Sequence, residues 1–214
     1  MAPRPKKILI TAGPTREMID PVRFLSNLST GEMGYALAKV AVSKGYQVSL
    51  VSGPTDLLPP KGVKFYAVVS AMQMKKVCAE LFPKHDCLIM TAAVCDFMPV
   101  AAGRNKIPSA KGLTLRLKRT PDILASLAKQ KGCRTVIGFC LETRDLIRRA
   151  TRKLTKKKLD GIVANFYGPG HNPFGKRRVK VHLIDAAGKV RKLAGRSKVQ
   201  IAKALLKWME SLGK

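Results

Sequence analysis

The first half of the chain alternates short apolar runs with segments of helical periodicity, and this alternation constrains the fold more than any other feature. The runs predict strands at residues 7–11, 47–51, 63–69 and 87–93, with helices between them at 32–44 and 70–81. Residues 87–93 are nearly all apolar, which is typical of a strand buried on both faces of a parallel sheet. The pattern predicts an α/β fold with a Rossmann-like, open, mostly parallel sheet flanked by helices.

The second half is less regular and is predicted to complete the same domain. The predicted elements are a strand at 113–117, a helix opened by Thr120–Asp122 with Pro121 near its first position, a strand at 135–140, a basic helix at 143–158, a strand at 159–165, a hairpin of 179–185 with 189–193, and a helix at 197–211. We therefore expect one domain over 1–214, with an α/β core at about 6–165 and a C-terminal β-hairpin and helix at about 176–212. Residues 98–112 mix Pro, Gly, Arg and Lys and are predicted to form a flap.

A ligand site is expected beyond the carboxyl ends of the strands, as in other open α/β sheets. Loops 12–31, 52–60 and 93–112 should therefore surround one crevice. The first loop is longer than a structural connection normally needs. It holds Gly13 and the run Ser29-Thr30-Gly31 directly before a helix, where free backbone N–H groups favour a phosphate. It matches neither G-x-G-x-x-G nor a Walker A loop, so a simple helix-capping turn is the alternative.

Two further groups of residues suggest anion or nucleotide binding. Asp96 follows the buried strand, where a carboxylate can hold a ribose hydroxyl, a base amine or a metal, although an Asx-turn is equally compatible. Lys153 and Lys157 lie one helical turn apart and repel each other unless an anion lies between them. The alternative is a solvated basic face, because the surrounding helix is basic all round.

Composition narrows the possible functions. The chain has 41 Lys+Arg and 13 Asp+Glu, a net charge of +28, and residues 102–214 carry 29 of the basic and only 6 of the acidic side chains. Such a charge favours polyanionic partners, but aromatic residues make up only 6% and form no stripe for stacking on nucleic-acid bases. A nicotinamide-dependent reductase is disfavoured because the dinucleotide fingerprint is missing.

No apolar run is long enough to span a membrane, and the five cysteines and three histidines lack metal-ligand spacing. We therefore expect a cytoplasmic protein with reduced thiols.

Five motifs in order carry a family resemblance. They are Thr11–Gly34, Ala92–Asp96, Thr120–Leu124, Gly138–Thr143 and Leu159–Asn165. Together they resemble phosphopantothenoylcysteine synthetase, the phosphopantothenate–cysteine ligase of coenzyme A biosynthesis. The resemblance implies a stand-alone ligase domain, since no sequence typical of the fused flavin-binding decarboxylase is present.

The resemblance also implies a reaction and its partners. The carboxylate of 4′-phosphopantothenate attacks the α-phosphate of CTP, forming an acyl-cytidylate and pyrophosphate, and the amine of cysteine then displaces CMP. Mg²⁺ would arrive with the triphosphate and need no dedicated protein cage. The family resemblance further implies a homodimer without a membrane partner, with at most non-specific binding of nucleic acid. The choice between CTP and ATP stays open.

Residue roles follow from the same resemblance. Asn27 would donate to the acyl oxygen, Arg23 would hold substrate, and Lys106 on the flap would stabilise the α-phosphate. The implied nucleotide-binding residues are Met90, Thr91, Ala92, Asp96, Lys106, Pro121, Asp122, Ile123, Leu124, Phe139, Lys153 and Lys157. Gly13, Ser29, Thr30 and Gly31 form the predicted phosphate loop. Many family members have a lysine-rich flap after the catalytic lysine, whereas this chain has Pro108 and Ser109 there. The family also usually has a small residue at the position of Cys95.

Overall fold

The computed structural model describes residues 7–108, 112–175 and 178–212. The strands are β1 (Lys7–Ala12), β2 (Glu17–Met18), β3 (Phe24–Leu25), β4 (Gln47–Ser52), β5 (Val63–Ala67), β6 (Cys87–Met90), β7 (Phe97–Pro99), β8 (Leu117–Arg119), β9 (Thr135–Glu142), β10 (Gly161–Phe166), β11 (Val179–Asp185) and β12 (Val190–Arg196). The helices are α1 (Glu32–Ser43), α2 (Ala71–Leu81), α3 (Ile123–Ala128), α4 (Leu146–Lys156) and α5 (Lys198–Leu212).

Eight of these strands form one sheet in the order β12-β11-β10-β9-β6-β1-β4-β5. The six strands from β10 to β5 pair in parallel, and β11 and β12 add antiparallel pairing at one edge. The predicted α/β fold with a mostly parallel sheet and a C-terminal hairpin is confirmed. Among the described residues, none of the helices combines the length and apolarity needed to cross a lipid bilayer.

Helices cover both faces of the sheet, and each face has its own apolar core. On one face α1 and α5 pack against the strands through residues such as Leu37 and Leu205. On the other face α2, α3 and α4 contribute Met74, Leu127 and Leu154. The central strands are therefore buried on both sides, which explains their continuous apolar sequence.

Local sequence signals locate several element ends correctly. The Ser70 hydroxyl accepts the backbone N–H of Gln73, and the Gln73 side chain accepts the N–H of Ser70, so a capping box that is readable from the sequence begins α2. Gly45 has φ +84° just after α1, as a helix-ending glycine should.

Three details of the second half were predicted wrongly. Residues 112–116 are not a strand, and β8 begins only at Leu117, pairing antiparallel with β7. Pro121 precedes the N-cap of α3 because the Asp122 carboxylate accepts the N–H of Ala125 at 3.0 Å. Helix α4 is shorter than 143–158 and is not basic all round, since Ala150 and Leu154 are buried against the sheet.

Candidate active site

The loops after β1 and β6 are bonded into a single rim at the carboxyl end of the sheet. The Ala93 N–H donates to the carbonyl of Gly13 at 2.9 Å, and the Thr15 N–H donates to the carbonyl of Ala93 at 3.2 Å. The Cys95 N–H donates to the Thr15 hydroxyl at 3.0 Å. The Asn27 Nδ2 joins them by donating to the Ala93 carbonyl at 2.9 Å. The rim therefore holds Asn27 through a backbone carbonyl of the loop after β6, which lies far away in sequence.

Two glycines allow this close packing. Gly13 has φ +71°, and a Cβ there would lie 2.8 Å from the Gly53 carbonyl oxygen. A Cβ on Gly34 would lie 2.5 Å from the Cβ of Ala12, so only glycine lets α1 approach β1 this closely. The start of α1 is thereby fixed at the edge of the sheet.

Loop 52–60 contacts the rim through Gly53 but does not line either cavity described below. The expectation that three loops surround one crevice is therefore wrong for this loop.

A first cavity of about 510 Å³ lies over the start of α1. Asn27, Thr91 and the run Ser29–Gly31 line it, whereas Gly13 of the predicted phosphate loop does not. Gly31 occupies the N-cap position and no side chain caps the helix. The first-turn N–H groups are therefore open to an anion, and the predicted phosphate loop stays a prediction.

The far wall of the first cavity comes from the C-terminal part of the chain and was missed by the sequence reasoning. It consists of Tyr167, Pro173, Phe174, Val179, Val181 and Lys198. The Lys198 ammonium donates to Glu32 at 2.7 Å, which ties α5 to the start of α1. The two aromatic residues in the glycine-rich loop after β10 were the available signal, since that loop also leaves the carboxyl end of a strand.

A second cavity of about 500 Å³ lies on the other side of the loop after β6. All implied nucleotide-binding residues except Thr91 and Lys106 line it: Met90, Ala92, Asp96, Pro121, Asp122, Ile123, Leu124, Phe139, Lys153 and Lys157. The two cavities adjoin, because both are lined by Ala92, Val94, Asp96, Phe139 and Lys153.

The lysines of the second cavity are already paired with carboxylates. Lys153 lies 2.6 Å from Glu142, which also binds Arg149, and Lys157 lies 2.8 Å from Asp122. Burial alone would raise the pKa of Glu142, but the hydrogen bonds from Lys153 and Arg149 outweigh it and hold that pKa below its usual value. The two lysines therefore do not require a ligand anion between them, and that part of the sequence argument was wrong.

Two of the implied catalytic residues lie outside both cavities. Lys106 is exposed and lines neither of them. The Arg23 guanidinium is bound to Asp20, at 2.5 Å, rather than pointing into a cavity. Pro108 is exposed, and Ser109 lies outside the described residues.

The structure gives neither a nucleophilic cysteine nor a metal cluster at the rim among the described residues. Burial raises the pKa of the Cys95 thiol, which donates to the Thr15 carbonyl, so this cysteine is not poised as a nucleophile. Within residues 7–108, 112–175 and 178–212, no three His, Cys, Asp or Glu side chains form a group that could hold a metal. Asp96 is the carboxylate that borders both cavities.

Comparison with known proteins assigns the family. Residues 4–212 match the model of the DNA/pantothenate metabolism flavoprotein C-terminal domain. The chain belongs to this family. The match agrees with the ligase resemblance carried by the motifs.

Full-length relatives and solved structures give the same assignment. The chain is 43% identical, over 98% of its length, to the coenzyme A biosynthesis bifunctional protein CoaBC of Bacillus subtilis, and it spans 52% of that protein. The chain thus covers about half the length of the curated relatives it matches. The crystal structure of the C-terminal domain of a CoaBC protein superposes with a TM-score of 0.83 at 39% identity, covering 97% of this chain and 95% of that domain. A DNA/pantothenate metabolism flavoprotein from Streptococcus pneumoniae, 25% identical, also gives 0.83 and covers 96% and 99%.

Proposed function

We propose that the chain joins 4′-phosphopantothenate to cysteine, using CTP and passing through an acyl-cytidylate. The carrying observation is the adjacency of the two cavities across one wall of Ala92, Asp96 and Phe139. One cavity contains nearly all the nucleotide residues expected from the motifs, and the other opens onto an uncapped helix start suited to an anionic substrate. Such a layout brings a carboxylate and an α-phosphate together, which is the main requirement of the first step.

In this proposal the nucleotide occupies the second cavity. Ile123 and Leu124 form its apolar floor, and Phe139 offers a surface to the base or ribose. The triphosphate competes with Glu142 and Asp122 for the ammonium groups of Lys153 and Lys157. Asp96 is the carboxylate that would lie beside a Mg²⁺ ion carried by the triphosphate, and such an ion would supply neutralisation of the phosphate charge.

The substrate acid occupies the first cavity, with its carboxylate toward the shared wall. Asn27 lies at the rim, where its side-chain amide donates to the Ala93 carbonyl at 2.9 Å and to Cys95 Sγ at 3.8 Å. The N–H on the sulfur makes the weaker of these two bonds, and it is the one that donates to the acyl oxygen when substrate is bound. Lys106 approaches from the flap to stabilise the α-phosphate while it is five-coordinate. The cysteine amine then attacks the acyl carbon, and CMP leaves.

Pyrophosphate release is the direct test. We expect release from purified protein only when a triphosphate and 4′-phosphopantothenate are both present, and amide product only when cysteine is added. Parallel assays with CTP and ATP determine the nucleotide. A protein that releases no pyrophosphate with any triphosphate contradicts the proposal.

We also propose a homodimer through an apolar surface on two small hairpins. The surface consists of Val22, Phe24 and Leu28 around β2–β3, and Phe97, Val100 and Leu117 around β7–β8, all exposed. Strand β2 contacts strand β7, so the two hairpins bring these exposed apolar side chains to neighbouring positions, and a second copy is the occupant we infer. Light scattering should give twice the mass of the 23.4 kDa chain, and a monomer would contradict this assignment.

A further inference from the structure

A buried carboxylate, Asp20, sits in the turn between β2 and β3 and is only 1% exposed. Its Oδ1 accepts the backbone N–H groups of Val22 at 2.9 Å and Arg23 at 2.8 Å. Its Oδ2 accepts Nε and Nη2 of the Arg23 side chain at 2.9 and 2.5 Å. These contacts are local and account for the shape of the turn.

The flap reaches the same ion pair from more than eighty residues away. The Ile107 N–H donates to Asp20 Oδ2 at 3.1 Å, and Arg23 Nη2 donates to the Ile107 carbonyl at 2.7 Å. At the base of the flap, the Gly103 N–H donates to the Ile19 carbonyl at 2.8 Å. Both polar backbone groups of a single flap residue are thus bound by one charged pair, and the turn itself does not require this.

The charge on Asp20 is essential to this arrangement. Hydrogen bonding from the Arg23 guanidinium holds the pKa of Asp20 well below its usual range, so the carboxylate is ionised at neutral pH. Each of its oxygens accepts at least two N–H groups. An asparagine would keep one acceptor oxygen for the local turn and would present an NH₂ group to Arg23 and Ile107, which are themselves donors. The flap contact would be lost while the turn survived.

We propose that Asp20 is a positioning residue: together with Arg23 it clamps the Ile107 peptide and so sets where the adjacent Lys106 lies. The proposal rests on the proposed function, because it gives Lys106 its role in acyl-cytidylate formation. It also explains why Arg23 faces the flap instead of a cavity.

Hydrogen exchange of the Ile107 amide tests the clamp without any substrate. We expect Asp20→Asn to speed this exchange by about tenfold or more, because the amide loses its acceptor. The matched control is Glu17→Gln. Glu17 is a second buried carboxylate, in strand β2 of the same hairpin, that accepts the N–H of Ala71 at the start of α2 and keeps an acceptor oxygen as glutamine. Unchanged exchange in Asp20→Asn, or an equal increase in Glu17→Gln, would overturn the clamp.

A double-mutant cycle with Lys106→Gln tests whether the clamp acts through the lysine. Alone, Asp20→Asn should slow acyl-cytidylate formation by about 100-fold or less, with little change in the KM for CTP, since a misplacement near 1 Å has effects of that order. In the Lys106→Gln background the same substitution should have almost no further effect. Fully additive losses, or wild-type kinetics in Asp20→Asn, would overturn the positioning role.

The two readouts separate this inference from the proposed function. If the wild-type protein releases no pyrophosphate with any triphosphate, the proposed function fails and the positioning role fails with it, whatever the exchange shows. If the wild type is active and the flap amide exchanges alike in all variants, only the clamp fails.

Discussion

The two cavities are of similar size but are lined by different kinds of polar group. The first is formed by backbone N–H groups at the start of α1, by an apolar rear wall that includes Phe174 and Val181, and by one ion pair, Lys198 with Glu32. The second is formed by ion pairs, with Lys153 bound to Glu142 and Lys157 to Asp122. Backbone dipoles are available to a ligand at no cost, whereas a paired lysine must leave its carboxylate first. An anion at the start of α1 would meet N–H groups that no side chain caps, whereas the phosphates of the proposed nucleotide would have to displace Glu142 and Asp122 from the two lysines.

The largest loss of activity should come from substituting a residue outside both cavities. Lys106→Gln should lower the rate of pyrophosphate release by about 100-fold or more, because it removes the charge that would stabilise the five-coordinate phosphate. The control is Arg104→Gln, which removes a positive charge from a neighbouring exposed position of the flap. If the two variants behave alike, the flap does not supply a specific group and the cavities alone carry the reaction.

A smaller and more selective loss is expected at the rim of the first cavity. Asn27→Asp should slow amide formation by about 10- to 100-fold and leave acyl-cytidylate formation less affected, since a carboxylate repels the negative charge that develops on the acyl oxygen. Rapid-quench measurement of the intermediate separates the steps. Equal loss in both steps would place Asn27 in general substrate binding.

Substitutions in the second cavity should lower the affinity for the nucleotide. Lys157→Met should raise the KM for CTP by about tenfold, the effect of losing one charge-assisted hydrogen bond of 1.4 kcal/mol. The control, Lys156→Met, removes the same charge from the preceding residue. Lys156 does not line the cavity, so this variant should change the KM for CTP much less. Equal effects would show that only the overall field of this basic region matters.

The smallest effect concerns stability and should leave both cavities unchanged. Burial lowers the pKa of His85 below 6.5, and its ring binds the Leu81 carbonyl through Nδ1 at 2.7 Å and Ser49 through Nε2 at 2.9 Å. Because the carbonyl only accepts, Nδ1 carries the proton, and the neutral ring accepts from Ser49. The unfolded chain therefore binds the extra proton more readily, so the free energy of unfolding should fall as the pH drops below about 6.5.

Urea unfolding at several pH values, compared with His85→Gln, measures this contribution. The variant should show a flatter dependence in that range, and its KM for CTP should equal that of the wild type. The measurements should run from roughly pH 7.5 to 5.5, the range where histidine titrates. A free energy of unfolding of the wild type that does not change over this range contradicts the expected role of His85.

The sequence predicted the repeating strands and helices because their signals are local: apolar runs such as 87–93, a capping box at Ser70, a glycine after α1. The family resemblance carried by the motifs also indicated most residues of the second cavity, among them Asp96, Asp122 and Phe139. The same local signals failed at residues 112–116, where alternation occurs without a sheet to bury one face.

Only the tertiary structure decided which charges meet. The partners of Lys153 and Lys157, the joining of Lys198 to Glu32 and the clamp of Asp20 and Arg23 on Ile107 all connect residues distant in the chain or from different elements. The strand order, with β9 beside β6 and β6 beside β1, brings those elements together, and no periodicity in the sequence encodes that order. The sequence alone determined most of the elements and where anions were expected. The tertiary structure determined which positive charges are already neutralised by carboxylates and which residues hold the flap. The reason is that the effect of a charge depends on its neighbours in space, which the sequence does not state.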